Sequence, residues 1–193
     1  MRATRSALAA LLLLTAPALA GQYVTLLHFN DFHGHLLPDA PDKAGHSKGG
    51  LARMATMVEQ TRAWNRAHGI PTLLLEAGDI LQGTPLSTVY RGEPDFACLN
   101  LMQTDAMTLG NHEFDFGIDN LLLRCGQARF PVPSANVMRD NAMLTGSGLT
   151  IRKLGVETAA IVGLTTPDTK TESAPGNTVG VDFTDPAQAM RQQ

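Results

Sequence analysis

Short apolar runs alternate with longer amphipathic segments along this chain of 193 residues. Two compact runs rich in leucine and β-favouring residues, at 23–29 and 71–77, predict buried strands, and residues 105–110 predict a shorter third strand. Between the first two strands, apolar residues recur every three or four positions over residues 51–68. This spacing predicts an amphipathic helix, with Trp64 on the stripe that faces the core.

The second half of the chain continues the alternation and then changes character. Residues 93–102 and 117–128 predict helices, and residues 130–137 predict a fourth strand with proline flanks. Residues 149–166 hold two β-rich runs with only a short turn between them, which predicts a hairpin. Asp185 is a predicted N-cap for a final helix. The whole pattern predicts an α/β fold with a largely parallel sheet that becomes mixed at the hairpin.

The first 20 residues have the layout of a secretory signal peptide. Two arginines give a basic start, residues 7–14 are apolar, and Pro17 precedes a small-residue cleavage site, Ala-Leu-Ala. The apolar run is too short to span a bilayer as a helix, so a membrane anchor is the weaker alternative. We therefore expect residues 1–20 to be removed and residues 21–193 to work in the periplasm or outside the cell, without stable membrane insertion.

The composition of the chain bears on which kinds of molecule it binds. The chain carries 15 Lys and Arg against 18 Asp and Glu, a net charge of −3, and no basic cluster stands out. Binding to a nucleic-acid polymer is therefore disfavoured. Cys98 and Cys125 are the two cysteines of the chain. An exported protein meets an oxidising environment, which permits a disulfide bridge between them. Two buried, unpaired thiols are at least as good an interpretation, because the sequence does not fix the distance between the two cysteines.

Three predicted strands each run into a loop that carries metal-ligating side chains. Asp31 and His33 follow the first strand, Asp79 follows the second, and Asn111 and His112 follow the third. Because the carboxyl ends of parallel strands meet at one edge of a sheet, we expect these residues to meet there. A carboxylate, an imidazole and an amide oxygen together suit a borderline divalent metal such as Zn²⁺, Mn²⁺ or Fe²⁺.

The strings around these residues resemble a known family. The order Asp-x-His, Gly-Asp, Gly-Asn-His is similar to that of the calcineurin-like metallophosphoesterases, and LLHFNDFHGHL, AGDILQGTPLS, TLGNHEFDFG and PSANV resemble its secreted 5′-nucleotidase branch, bacterial UDP-sugar hydrolases included. The resemblance implies a mixed β-sheet core with flanking helices, in a four-layer α/β/β/α fold. It also implies metal-dependent hydrolysis of nucleotide or nucleotide-sugar phosphate esters, with 2′,3′-cyclic-nucleotide 2′-phosphodiesterase/3′-nucleotidase activity as the alternative.

The resemblance implies two divalent metal ions as cofactors, of zinc, manganese, cobalt or iron. Asp31 and His33 would bind one ion, Asp79 would bridge both, and Asn111 would bind the second. Two metals that share a carboxylate can polarise a phosphate and activate a water molecule for in-line attack.

The same resemblance implies that His112 and Asp115 are the catalytic pair, and that Asn111 and His112 contact the substrate phosphate. A neighbouring carboxylate orients an imidazole and favours its cationic form, which can stabilise negative charge on phosphoryl oxygens. Glu113, between the two members of the pair, is expected to support the site or to lie exposed rather than to catalyse.

One part of the family pattern is missing from the sequence. The family site also uses histidines from later segments, whereas all six histidines of this chain lie at or before position 112. We therefore expect residues 21–193 to hold an incomplete N-terminal metallophosphoesterase domain, without the C-terminal domain that recognises the nucleotide. An inactive fragment with residual metal or nucleotide binding is the alternative to an active enzyme.

Overall fold

Residues 23–193 are described by a computed structural model, and the predicted signal peptide at residues 1–20 lies outside them. The strands in this range are β1 (Thr25–Phe29), β2 (Thr72–Glu76), β3 (Ala106–Met107), β4 (Val137–Arg139), β5 (Ala142–Met143), β6 (Leu149–Leu154), β7 (Glu157–Val162) and β8 (Val181–Phe183). The α-helices are α1 (Leu51–Ala67), α2 (Pro85–Val89), α3 (Glu93–Leu101), α4 (Gly117–Gln127), α5 (Thr169–Glu172) and α6 (Pro186–Arg191). Two 3₁₀ turns lie at His112–Phe114 and Pro175–Thr178. Over residues 23–193, no helix is long and apolar enough to cross a membrane.

The first half of the chain builds a parallel sheet in the order β1-β2-β3. Its strands and the helices α1, α3 and α4 lie close to their predicted bounds, so this part of the prediction is confirmed. The parallel arrangement brings the carboxyl ends of all three strands to one edge of the sheet. The loops that carry the predicted site residues leave the sheet at this edge.

The second half of the chain forms two antiparallel sheets. One has the order β5-β4-β8, and the other is the hairpin β6-β7. The predicted hairpin and the predicted Asp185 cap of α6 are confirmed, since Asp185 Oδ1 accepts the N–H of Gln188 at 2.6 Å. The prediction of one sheet that becomes mixed at the hairpin is wrong, because the antiparallel strands lie in sheets of their own and do not extend the parallel sheet.

The predicted strand at residues 130–137 is wrong in its bounds, because β4 begins only at Val137. Pro131 and Pro133 lack the N–H groups that a strand ladder needs, so this stretch runs beside the sheet without joining it as a regular strand. A backbone hydrogen bond shows how close this stretch lies to β3: the Met107 N–H donates to the Pro131 carbonyl at 3.1 Å.

The main hydrophobic core joins α3 and α4 to strands of the antiparallel half. Its fully buried side chains include Phe96 of α3, Leu121 of α4 and Val137 of β4. Phe114, from the loop after β3, also lies in this core and packs edge-on against Phe183 at a ring-centroid distance of 5.2 Å. The loop is therefore anchored in the core by one of its own side chains.

The prediction that Trp64 faces the core is wrong. The helix α1 buries Leu51, Val58 and Asn65, which lie along a single line on its surface. Trp64 lies about 100° around the helix axis from Asn65, away from this line, and is 57% exposed. Its ring stacks on His68, the residue that follows the last residue of α1, at a centroid distance of 4.0 Å.

Cys98 and Cys125 are free thiols, both half-buried, so the interpretation without a bridge is confirmed. Burial raises the pKa of the Cys125 thiol to about 12 and also raises the pKa of Cys98. Because the thiolate is the nucleophilic form, neither cysteine is a candidate nucleophile at neutral pH.

Asp95, in the first turn of α3, is a buried carboxyl group that forms no salt bridge within residues 23–193. Burial raises the pKa of Asp95 from 3.8 to about 6, although the neighbouring Ser87 hydroxyl opposes the rise. The folded protein therefore binds a proton at Asp95 more tightly than the unfolded chain does. The ionised carboxylate opposes folding above about pH 6, and this cost disappears as the pH falls toward 4.

We expect Asp95→Asn to raise the free energy of unfolding at pH 8 by on the order of 2–3 kcal/mol and to change it little at pH 4, since the amide has no charge to desolvate. Urea unfolding of the variant and the wild type at both pH values measures the difference. Asp182→Asn, which removes an exposed carboxylate from β8, is the matched control. An equal effect of Asp95→Asn at both pH values would show that the charge is not the cause.

Candidate functional site

The loops after β1, β2 and β3 are bonded to one another through their backbones. Three N–H groups of the first loop donate to three carbonyls of the second, at 2.9–3.0 Å: Asp31 to Gly78, His33 to Asp79, and Gly34 to Ile80. The second and third loops meet where Gly78 packs on Gly110, with no room between them for a Cβ atom. The three loops therefore form one unit at the carboxyl edge of the parallel sheet.

Three of the predicted metal ligands have a left-handed backbone. The angle φ is 53° at Asp31, 48° at His33 and 60° at Asp79. A non-glycine residue in this region costs on the order of 1 kcal/mol and persists only where its surroundings hold it there. The bonds between the loops supply that restraint. Gly110 is needed beside them, because a Cβ atom at this position would overlap the Asp79 carboxylate.

The structure brings Asp31, His33, Asp79 and His112 together. His33 Nε2 lies 3.9 Å from Asp31 Oδ1, and the ring of His33 meets the ring of His112 edge-on at a centroid distance of 4.8 Å. Asp79 Oδ1 accepts the backbone N–H of His112 at 2.8 Å. Asn111 precedes His112 on the same loop and is half-buried.

His112 and Asp115 form a hydrogen-bonded pair across the 3₁₀ turn. The His112 Nδ1–H group donates to Asp115 Oδ2 at 2.7 Å, and both side chains are partly buried. Burial alone would lower the pKa of His112. The bond to Asp115 and its charge, with the charges of Asp79 and Glu113, outweigh burial and raise this pKa above its usual value. The arrangement favours a cationic ring with a fixed orientation.

Glu113 has a more central position than its place in the sequence indicated. Its side chain is fully buried, and its carboxylate accepts N–H groups from the loop after β2 and from its own loop: Asp79 at 2.8 Å, Ile80 at 3.0 Å, Leu81 at 3.4 Å and Gly110 at 2.6 Å. Burial raises the pKa of Glu113 to about 7, although these donors oppose the rise. The expectation that Glu113 supports the site is confirmed, and the exposed alternative is wrong.

Acidic side chains cluster around these loops. Glu76, at the end of β2, is buried, and one of its carboxylate oxygens accepts the Gly78 N–H at 2.9 Å. The other oxygen has no partner among the described residues. Burial raises the pKa of Glu76 well above its usual value, and the nearby charges of Glu113, Asp79 and Asp31 raise it further.

The chemistry of this donor set fits a divalent cation. In the range 23–193, the ion pairs of Asp31 and Asp115 are with histidines only, and no salt bridge joins a lysine or arginine to Glu76, Asp79 or Glu113. Carboxylate, imidazole and amide donors within a cluster of acidic groups that no lysine or arginine in this range pairs with favour a bound metal ion. The geometry of a metal site is incomplete: within residues 23–193, no three His, Cys, Asp or Glu side chains lie close enough together to hold a metal ion.

The sequence profile of the calcineurin-like phosphoesterases matches residues 24–165. The chain belongs to this family. Calcineurin-like phosphoesterases use divalent metal ions, in agreement with the donor types at the carboxyl edge of the sheet.

Relatives of this chain among the calcineurin-like phosphoesterases include nucleotidases. Protein UshA of Yersinia enterocolitica is 37% identical over 171 residues, which cover 88% of this chain and 30% of the relative. The human 5′-nucleotidase is 39% identical over 191 residues, which cover 91% of this chain and 32% of the relative. This chain thus spans about a third of the length of these curated relatives.

A solved structure has the same fold. The 5′-nucleotidase precursor of Thermus thermophilus superimposes with a TM-score of 0.76 at 38% identity, over 88% of this chain and 33% of that chain. The predicted metallophosphoesterase-type α/β fold is therefore confirmed.

Proposed function

We propose that this chain supplies the metallophosphoesterase part of an enzyme that hydrolyses phosphate esters of nucleotides or nucleotide sugars, with 5′-nucleotidase-like activity. Membership of the calcineurin-like phosphoesterases supports the reaction class. Relatives named 5′-nucleotidase, matched over most of this chain, support a nucleotide substrate. The observation that carries the proposal is the His112–Asp115 pair, joined at 2.7 Å, beside the Asp79 carboxylate.

Export is part of the same proposal. Residues 1–20 act as a signal peptide, and residues 21–193 work in the periplasm or outside the cell. The basic start, the short apolar run and the small-residue cleavage site of the sequence support this location.

Four residues are the proposed metal ligands. Asp31 and His33 would hold one divalent ion, Asp79 would contribute to both, and Asn111 would hold the second. The bonds that tie Asp31 and His33 to the Asp79 loop support this set, because they keep the ligands of two strand ends in one place. Bound ions supply Lewis-acid polarisation of the phosphate and a water molecule of lowered pKa.

His112 and Asp115 are the proposed catalytic pair. The Asp115 carboxylate accepts the hydrogen bond from the Nδ1–H group of His112, so Nε2 is the ring nitrogen that faces the substrate in this proposal. The raised pKa of His112 favours an imidazolium ring, which stabilises charge on the phosphoryl oxygens or donates a proton to the leaving oxygen. Asn111 and His112 together contact the phosphate of the substrate.

The test is the release of phosphate and of nucleotide products by the purified chain from AMP, 3′-AMP, 2′,3′-cyclic AMP and UDP-glucose with added Mn²⁺, Co²⁺ or Zn²⁺. The products are separated by chromatography, because UDP-glucose first gives UMP and glucose 1-phosphate and the cyclic nucleotide first gives 3′-AMP. We expect release that depends on metal, is greatest from AMP and stops on addition of a chelator. Faster hydrolysis of 3′-AMP and the cyclic nucleotide would instead assign the chain to the 3′-nucleotidase class. The proposed function is wrong for this chain if none of these substrates is hydrolysed in a metal-dependent manner.

A further inference from the structure

A segment that follows β7 lies across the loop that carries the proposed catalytic pair. We refer to residues 165–177 as the clamp segment and to residues 111–115 as the catalytic turn. Three side chains of the clamp segment donate to backbone carbonyls in and beside the turn: Thr165 Oγ1 to Leu109 at 2.8 Å, Ser173 Oγ to Asn111 at 3.1 Å, and Asn177 Nδ2 to Asp115 at 2.7 Å. These contacts join parts of the chain that are far apart in sequence.

The last two bonds hold the two ends of the catalytic turn. Ser173 binds the carbonyl of Asn111, the first residue of the turn, and Asn177 binds the carbonyl of Asp115, the last residue. Asp115 is also the residue whose carboxylate orients the His112 ring. A shift of the Asp115 backbone would therefore move the imidazole through this carboxylate.

The clamp segment is itself fixed to the antiparallel half of the fold. Lys170 Nζ donates to the Val181 carbonyl of β8 at 2.5 Å. Near the start of the segment, the Asn136 side chain bonds both to the N–H (2.9 Å) and to the carbonyl (2.7 Å) of Thr165. These bonds fix the clamp segment in place, so its hydrogen-bond donors keep their positions against the catalytic turn.

We propose that Ser173 and Asn177 are positioning residues for the His112–Asp115 pair. They align the pair by holding the two ends of the catalytic turn, and they act through that turn without contacting the reacting atoms. The proposal rests on the function proposed above and adds two residues to its machinery.

Asn177→Asp tests the proposal with almost no change in side-chain size. The new carboxylate cannot donate to the Asp115 carbonyl and repels it, so the end of the catalytic turn is released. We expect kcat to fall about tenfold or more, with KM and Mn²⁺ affinity within about twofold of the wild type, because the alignment of the reacting groups is disturbed and no proposed metal ligand is replaced. Asn141→Asp, the same change at an exposed turn between β4 and β5, should leave all three quantities unchanged.

Ser173→Ala provides a second variant, which removes only a hydroxyl group and tests the other end of the catalytic turn. We expect kcat to fall with KM and the melting temperature nearly unchanged. The proposal is overturned if kcat stays at the wild-type value in both variants. It is also overturned if kcat, metal affinity and melting temperature fall together, since that result indicates a purely structural role.

NMR of the ¹⁵N-histidine-labelled protein separates this proposal from the proposed function. The Nδ1–H proton of His112, assigned by its absence in His112→Asn, should shift or broaden in Asn177→Asp and stay in place in Asn141→Asp. A chain that has this signature but releases no phosphate would contradict the proposed function and leave the positioning role standing. An active chain whose signature and kcat are unaffected by Asn177→Asp would contradict the positioning role alone.

Discussion

The Asp79→Asn variant should lose metal-dependent phosphate release and bind Mn²⁺ at least about a hundredfold more weakly than the wild type. Asp79 is the proposed ligand of both ions, and even partners outside the ligand set typically change metal affinity by roughly 10–100-fold. The replacement is nearly isosteric, and its amide oxygen can still accept the His112 N–H, which lies at 2.8 Å. Asparagine also tolerates the φ of 60° at this position, so the fold should persist while the charge is lost.

Metal content by elemental analysis, Mn²⁺ titration by calorimetry and phosphate release measure these effects. Asp140→Asn is a closely matched control, because Asp140 is exposed and has a similar φ of 51°. This control should behave like the wild type. Full metal occupancy in Asp79→Asn would remove Asp79 from the set of ligands and would undermine the proposed arrangement of the site.

The His112→Asn variant should lower kcat by roughly a hundredfold to ten-thousandfold, the usual effect of losing a general acid or a charge that stabilises the transition state. Metal content should stay close to that of the wild type, because His112 contributes only its backbone N–H to the Asp79 carboxylate. The substitution keeps that N–H group and removes the ring that bonds Asp115.

Steady-state kinetics with AMP and elemental analysis of the same preparations test this second prediction. His68→Asn, at an exposed histidine directly after α1 that stacks on Trp64, is the matched control and should retain full activity. If His112→Asn loses as much metal as Asp79→Asn, His112 is a ligand. In that case the division of roles between the two residues has to be revised.

The parallel half of the fold and its loops could be predicted because their signals are local. Three times along the chain, an apolar run is followed by a glycine-containing turn and by a side chain that can bind metal. Because the carboxyl ends of parallel strands meet at one edge of the sheet, Asp31, Asp79 and His112 were expected to lie together. The contacts among these residues agree with this placement, which needed the strand order and no side-chain geometry.

The supports of the site could not be predicted, because they depend on tertiary contacts. Nothing in the sequence shows that Glu113 turns inward to accept N–H groups from two loops, since a 3₁₀ turn is too short to display a periodic pattern. Ser173 and Asn177 are far from the catalytic turn in sequence, and ordinary loop composition surrounds them. Trp64 was misplaced because the three- and four-residue spacing of apolar positions predicted a wide buried stripe that included it, whereas α1 buries only the narrow line of Leu51, Val58 and Asn65.

The left-handed backbone at Asp31, His33 and Asp79 implies a trade-off between stability and function within this chain. Each of these conformations costs the folded state on the order of 1 kcal/mol, which glycine would not incur. Selection for stability alone would replace them, and only selection for the chemistry of their side chains keeps them. A design that borrows this scaffold for another purpose can therefore gain stability at the very positions where the natural protein gives it up.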